Sequence, residues 1–212
     1  MPSIACDRIR LYTTFPQSTI DHGPETDRHT IKQLSLPGLP PLILGLAHLP
    51  SKLHSDDFDQ LHNAMYFRSS IEEGEESFRH QNTIAMGDFN MNPFDPGMIS
   101  AGGLNAVPCA EIAKKINRTV NGKVHDFFYN PTWNLLGDFN QPTGSYYHAS
   151  PSHLSHYWNM LDQVVLRPSI ASMLIKNSLQ LITNTGTTPL IDPKGRPLVS
   201  DHLPLSFSLN YN

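Results

Sequence analysis

Short apolar runs bounded by turn-forming residues constrain the fold of this chain more than any other feature. They predict β-strands, because each is too short for a buried helix and is flanked by Gly, Pro, Asn or Asp. The predicted strands are Arg8–Phe15, Thr30–Leu36, Leu42–His48, Asn82–Met86, Leu161–Leu166, Ser178–Thr183 and Leu203–Leu209. The last alternates apolar and polar residues, which is typical of a sheet covered on one side.

Helical patterns lie between some of these strands. Ser55–Glu72 begins with a possible N-cap, Ser55, has acids in its first turn and continues with apolar residues at helical spacing. A shorter helix is predicted over Pro108–Asn117, with Pro108 at its first position. The segment Asn130–Trp158 has no steady periodicity and is predicted to be a long ordered loop. Alternating strands and helices in 212 residues favour one α/β domain.

Composition narrows the possible partners and location. A formal net charge of -4 argues against a broad basic surface that would hold nucleic acid non-specifically. Cys6 and Cys109 lie far apart and predict buried thiols rather than a disulfide framework. The chain has no apolar run of membrane-spanning length and its first residues do not resemble a signal peptide. We therefore expect a soluble protein, with the cytoplasm slightly favoured.

The first chemical motif follows a predicted strand and reads Gly87-Asp88-Phe89-Asn90. Alternate strand residues share a face, so Asp88 and Asn90 should point to the same side. A carboxylate beside a carboxamide can orient water, accept its proton and hold a phosphate oxygen or a cation. Gly-Asp and Asn-Pro are also ordinary turn formers, so an unreactive turn is an equal alternative for this motif alone. The same tetrapeptide recurs at Gly137–Asn140 inside the long loop, where we expect no catalytic role.

Further candidate site residues lie at strand ends. Asp201 and His202 precede the last predicted strand, Asp162 interrupts an apolar strand, and His48 ends another. A buried carboxylate is costly unless it is paired, and its usual use is to fix the tautomer of a histidine. Asp201 could ligate a metal, and His202 could stabilise a phosphoryl oxygen. Taken singly, each has a simpler explanation as a polar strand cap or a structural histidine.

The long loop contains two groups of residues with open roles. Its histidines could bind zinc, but their irregular spacing and lack of cysteine partners favour a polar loop instead. These are His148, His153 and His156. Its aromatic residues could either line a substrate cleft or pack the loop onto the sheet. These are Trp133, Tyr146, Tyr147 and Trp158.

Taken together, the motifs resemble the endonuclease/exonuclease/phosphatase family, whose fold is the deoxyribonuclease I-like α/β sandwich of two packed mixed sheets with outer helices. The family's four segments occur in order. They are His48-Leu49 with Ser51, Gly87–Asn90, Leu161-Asp162-Gln163 and Ser200-Asp201-His202. The motifs span residues 48 to 202, and the last three are fairly specific.

The resemblance implies a role for each motif residue. Asp88 would activate water, and Asn90 would help to position the phosphate. Asp162 would orient His202, which would stabilise the reacting phosphate. His48 would contact the phosphate or the leaving group.

The implied cofactor is Mg²⁺, with Mn²⁺ as an alternative, and Asp201 and Asp88 would lie near the metal. The family's N-terminal Asn and its principal metal-binding Glu are not found before His48, and Glu25 lies among turn residues. The simplest expectation is therefore a C-terminal portion of a longer enzyme that is impaired alone and holds Mg²⁺ weakly.

The leading functional hypothesis is a Mg²⁺-dependent phosphoesterase that hydrolyses phosphodiesters or phosphomonoesters. Its substrate could be a nucleic acid, a phospholipid or a small phosphate ester, since a fold does not settle substrate. The alternative is a non-catalytic module that binds a phosphate ligand or a protein on the same fold. The absence of the Glu favours that alternative, whereas the complete set of other motif residues favours an enzyme.

Overall fold

A computed structural model of the protein describes residues 6–52, 56–139, 142–151, 153 and 155–211. Its centre is a seven-stranded mixed sheet with the order β1-β2-β3-β4-β11-β8-β5. The strands of this sheet are β1 (Ile20–Glu25), β2 (His29–Leu34), β3 (Leu42–His48), β4 (Thr83–Asp88), β5 (Ala106–Val107), β8 (Phe128–Tyr129) and β11 (Asp162–Leu166). Strands β3 and β4 are parallel, and β11 runs antiparallel beside β4.

Shorter strands form three two-stranded pairs around this sheet in the described residues. The pairs are β6 (Asn117–Val120) with β7 (Lys123–Asp126), β9 (Tyr146–Tyr147) with β10 (Trp158–Asn159), and β12 (Gln180–Leu181) with β13 (Leu205–Ser206). The described α-helices are α1 (Asp57–Phe78), α2 (Pro96–Ile99), α3 (Ala110–Ala113) and α4 (Pro168–Ala171). Of these four, α1 alone is longer than about one turn, and it connects the parallel strands β3 and β4.

Helix α1 covers one face of the sheet. It begins with a capping box, in which Asp56 accepts hydrogen bonds from the backbone of Phe58 and Asp59. Its buried residues recur every three or four positions and pack against sheet residues in the larger apolar cluster. Ala64, Phe67 and Ile71 carry this contact from the helix side. The helix thereby fixes β3 and β4, the two strands that deliver the first motif residues.

The opposite face is covered by the C-terminal residues. Apolar side chains of β4 and β11 share a second cluster with Leu205, Phe207 and Leu209 near the chain end. The molecule is therefore layered as helix, mixed sheet and a thin β layer, and the predicted α/β fold class, a sandwich of mixed sheets with outer helices, is confirmed. In the described residues the second layer contains the β12–β13 pair rather than a full sheet.

Sequence patterns located the central strands well and the peripheral ones less well. The strand predicted at Arg8–Phe15 is wrong, because these residues are mostly irregular, pair with no described strand and are mostly exposed. Strand β1 is not among the predicted strands, and its end at Glu25 was interpreted as a turn. The predicted N-cap Ser55 lies outside the described residues, and α1 continues to Phe78.

Two further predictions are corrected near the middle of the chain. The predicted helix at Pro108–Asn117 is reduced to α3, because Asn117 already belongs to β6. Cys109 is exposed instead of buried, whereas Cys6 is buried as expected. None of the helices in the described parts of the chain is long and apolar enough to span a membrane.

Candidate active site

Three neighbouring strands place His48, Asp88 and Asp162 side by side. His48 and Asp88 are register partners in the parallel β3–β4 pair, and Asp88 and Asp162 are partners in the antiparallel β4–β11 pair. Residues opposite each other in a sheet project from the same face within contact range. Three motifs that lie far apart in sequence therefore meet at the same end of three neighbouring central strands.

Gly87 allows this close approach of β3 and β4. Its φ is +138°, and a Cβ atom at this position would collide with the carbonyl oxygen of Ala47. A side chain at residue 87 would therefore push the two strands apart next to His48 and Asp88. Steric crowding thus requires a glycine at residue 87. It does not require one at Gly137 in the second copy of the tetrapeptide, where a Cβ atom would meet no described atom within 4 Å.

Asn90 holds the Asp88 carboxylate in place. Its backbone N–H donates to Asp88 Oδ1 at 2.8 Å, and its Nδ2 donates to Asp88 Oδ2 at 2.9 Å. The same Nδ2 donates to the carbonyl oxygen of Leu49 at 2.8 Å. Asn90 is buried and adopts a φ of +52°, a left-handed conformation that Asn tolerates better than most residues. Both amide hydrogens are thus engaged by the protein.

His202 is oriented by Asp162. Its Nδ1 lies 2.7 Å from Asp162 Oδ2, so Nδ1 carries the proton of this hydrogen bond and Nε2 remains for the cleft. Burial lowers the pKa of His202, but the hydrogen bond to Asp162 and the charges of Asp162, Asp88 and Asp201 outweigh it. The pKa of His202 is consequently raised above its ordinary value.

The surroundings of Asp88 raise the pKa of its carboxyl group above the ordinary value. Burial and the charge of Asp162 raise the pKa of Asp88, and they outweigh the opposing effects of His202, Asn90 and His48. His48 Nε2 lies 3.7 Å from Asp88 Oδ2, with 45% of the histidine side chain exposed. A base with a raised pKa accepts a proton more readily than an ordinary aspartate does.

The residues that could bind a cation differ in whether they face the cleft. Asp88, Asp162 and His202 each offer a ligand atom within 4.8 Å of the others. Asp162 and His202 are already hydrogen-bonded to each other, and of the two carboxylates only that of Asp88 belongs to a residue that lines the described cleft. Asp201 is exposed and lines the same cleft as Asp88.

These residues open onto a cleft with a volume of about 930 Å³. Of the predicted site residues, His48, Asp88, Asn90, Asp201 and His202 line it, whereas Asp162 lies behind His202.

The residues of the long loop divide between the cleft and the interior. Its three histidines line the cleft, and in the described residues they form no metal-type group. Among the four aromatic residues singled out from the sequence, Tyr146 is the one that lines the described cleft. Tyr147 and Trp158 instead pack edge to face on each other.

A polar network that was not predicted from the sequence ties the cleft walls together. Lys52 Nζ lies 2.9 Å from Asp95 Oδ2, which also accepts a hydrogen bond from the backbone of Asn92. Asn92 Nδ2 donates to Asn159 Oδ1 at 2.9 Å, and Asn92 Oδ1 accepts from the backbone of Met160. The only sequence signal was the presence of Asn92 and Asp95 shortly after the Gly87–Asn90 motif.

No protein-family model matches the sequence, and no curated protein is significantly similar to it. The chain is similar to several solved structures. An endonuclease/exonuclease/phosphatase family protein from Bacteroides thetaiotaomicron has 12% identity and a TM-score of 0.45, with 84% of this chain and 54% of that chain covered. An AP endonuclease from Archaeoglobus fulgidus has 13% identity and a TM-score of 0.44, with 90% and 70% covered.

A 3'-5' exonuclease from Neisseria meningitidis has 15% identity and a TM-score of 0.43, with 91% of this chain and 71% of that chain covered. The chain spans about half the length of the Bacteroides structure. The chain resembles the endonuclease/exonuclease/phosphatase family in the order of its four motifs, and residues of these motifs meet at the described cleft.

Proposed function

We propose that this chain carries the hydrolytic centre of a metal-dependent phosphoesterase of the endonuclease/exonuclease/phosphatase family, in a single domain over residues 1–212. The observation that supports this most strongly is the 2.7 Å hydrogen bond between His202 Nδ1 and Asp162 Oδ2 beside Asp88. An aligned imidazole next to a separate carboxylate supplies both an electrophilic group and a base.

Asp88 is the proposed base. A water molecule attacks phosphorus, the bond to the leaving oxygen breaks, and Asp88 takes the proton that the water loses. The hydrogen bonds from Asn90 fix the direction of the carboxylate, which lines the cleft. Because both amide hydrogens of Asn90 are engaged, its proposed role is to position Asp88 rather than to donate to the phosphate.

His202 and His48 are the proposed partners of the phosphate. The raised pKa of His202 increases its protonated fraction, and Nε2 can then donate a hydrogen bond to a phosphoryl oxygen that gains charge. Asp162 holds the ring and stabilises this charged form. His48 is exposed enough to reach the phosphate or the leaving oxygen from the other side of Asp88.

The carboxylates of Asp88 and Asp201 would hold the divalent cation. Both line the cleft, and carboxylate oxygens with water are the donors that Mg²⁺ and Mn²⁺ prefer. When bound there, the cation supplies neutralisation of charge on the phosphate. One or two carboxylates hold Mg²⁺ best when a substrate phosphate completes its shell, so we expect weak binding of the cation alone.

The test is hydrolysis of bis(p-nitrophenyl) phosphate by this chain in Mg²⁺ and in excess chelator. We expect turnover only with the cation, and losses of about 100- to 10,000-fold in Asp88→Asn and His202→Ala. Asp138→Asn is a matched control, because Asp138 occupies the same tetrapeptide but does not line the described cleft. Full activity in chelator, or equal turnover in all variants, would contradict the proposal.

The non-catalytic module is the alternative outcome of the same experiment. It is supported if the chain binds inorganic phosphate with Mg²⁺ in a manner that needs His202, yet shows no turnover.

A further inference from the structure

We infer that the cleft takes a small phosphate ester whose organic group contains a planar ring, with the ring lying against Tyr146 and His148. The inference rests on the proposed function, because that function places the phosphate at His202 and Asp88. What it adds is the chemical class of the group attached to that phosphate.

Tyr146 lies next to the reacting centre. Its ring centroid is 4.8 Å from that of His202, and the two rings are tilted by 40°. The backbone of Tyr146 is bridged to His202 on one side and paired with Asn159 on the other. Two neighbouring segments therefore fix the position of the tyrosine, so its ring forms a firm wall beside His202.

His148 stacks on the ring of Tyr146 and adds an exposed ring to this wall. Its ring is nearly parallel to that of Tyr146, with 12° between the planes and 6.2 Å between the centroids. His148 is exposed and Tyr157, on the same wall, is 49% exposed, although both line the cleft. Planar π surfaces that face a cleft bind other planar rings by stacking, whereas an alkyl group gains less from them.

The charges of the cleft disfavour a polynucleotide. Among its described lining residues, Lys52 is the only side chain with a permanent positive charge. Lys52 Nζ is held 2.9 Å from Asp95 Oδ2 and 3.2 Å from Asp57 Oδ1. Proteins that bind a nucleic-acid strand need a basic groove that follows successive phosphates.

The dimensions of the cleft agree with a small ligand. Its volume of about 930 Å³ falls in the usual range for small-molecule sites, roughly 300–1,000 Å³. Asp57 also lines it and, together with Asp95, neutralises Lys52, which leaves the described lining no unpaired permanent positive charge for a second phosphate. These features together favour one phosphate and one planar ring over an extended polyanion.

The test measures binding separately from turnover. In Mg²⁺, titration calorimetry compares phenylphosphonate with methylphosphonate, neither of which can be hydrolysed at the phosphorus–carbon bond by this chemistry. We expect phenylphosphonate to bind roughly 5- to 150-fold more tightly, the range for one aromatic stacking contact. A short duplex oligonucleotide should not compete at comparable concentration.

Substitutions test whether Tyr146 and His148 cause the preference for phenylphosphonate. His148→Ala and Tyr146→Leu should each reduce the preference for the phenyl compound, whereas Tyr146→Phe should keep it. His148 is exposed, so its substitution reports on binding even if Tyr146→Leu fails to fold. Tyr66→Leu is the control, because Tyr66 is exposed on α1 and does not line the described cleft.

Equal binding of the two phosphonates, binding of neither, a preference that survives in both wall variants, or strong competition by the duplex would each overturn the inference. The proposed function fails differently. If phenylphosphonate is preferred through Tyr146 and His148 but phenyl phosphate is not hydrolysed, the ring site stands and the hydrolytic function is wrong. If phenyl and methyl phosphates are hydrolysed equally well, the function stands and the ring site is wrong.

Discussion

Replacing Asp162 with Asn tests the link between the buried acid and His202 more sharply than removing either residue. The substitution keeps the shape of the side chain but removes its charge, and an amide can donate to Nδ1 as readily as it accepts from it. The histidine can then adopt the wrong tautomer, with its proton on the cleft side. The hydrogen bond concerned is short, at 2.7 Å, and is charge-assisted whenever His202 is protonated.

The expected loss follows from these contacts. General acid-base groups contribute roughly 100- to 10,000-fold, so Asp162→Asn should lower kcat by a factor in this range and change KM little. The pKa of His202 should fall, because the substitution removes its hydrogen-bonding carboxylate and one of the three charges that raise it. Titration of the imidazole by NMR without divalent cations measures this change directly, and Asp138→Asn serves as the control.

The same pair makes stability depend on pH in a defined direction. The folded-state pKa of His202 is raised above the ordinary 6.5, so protonated His202 contributes fully to the free energy of unfolding below about pH 6.5. It is lost as the pH rises through the folded-state pKa. The destabilisation caused by Asp162→Asn should thus be larger at pH 6 than at pH 9 in urea unfolding. An unchanged kcat, or an unchanged His202 titration, would refute the reasoning.

Three other perturbations test the scaffold and the base. Glu75→Gln should lower the free energy of unfolding by about 3–5 kcal/mol in urea titration, because it removes the carboxylate that accepts two hydrogen bonds from buried Arg167. Lys114→Met, which removes an exposed ion pair with Glu111, should have far less effect in the same titration. Gly87→Ala should destabilise the fold and abolish turnover, whereas Gly186→Ala, with positive φ but open space, should affect stability alone. Carboxyl NMR in chelator should give Asp88 a pKa above 3.8 that falls in Asp162→Asn, and an ordinary value would contradict the described burial.

The central part of the site could be predicted from sequence because its strands are buried. Strand β3 was predicted at Leu42–His48, its observed bounds, and β11 was placed within one residue. Strands buried on both faces are short apolar runs, so a polar residue at the end of such a run is conspicuous. His48, Asp88 and Asp162 were all identified in this way.

The rest could not be predicted because tertiary contacts, not local pattern, decide it. Residues 8–15 alternate like a strand but pair with no strand among the described residues, whereas β1 contains Gly and Pro yet pairs with β2 through an irregular register. The position of Tyr146 depends on the two-residue pairing of its strand with Trp158–Asn159, which lies at a distant position in the chain. The Lys52–Asp95–Asn92 network joins loop residues whose meeting no periodicity reveals.

The cross-strand placement of Asp88 opposite Asp162 explains why the site needs a positive partner. Like charges directly opposite each other destabilise a sheet, and here both acids are also partly buried. Protonated His202 offsets this repulsion from the Asp162 side, and its raised pKa is the counterpart of the raised pKa of Asp88. The phosphate that we propose as substrate brings further negative charge into the same cleft. The same arrangement that makes Asp88 a better proton acceptor therefore makes stabilisation of the reacting phosphate depend on His202, His48 and a cation held by Asp88 and Asp201.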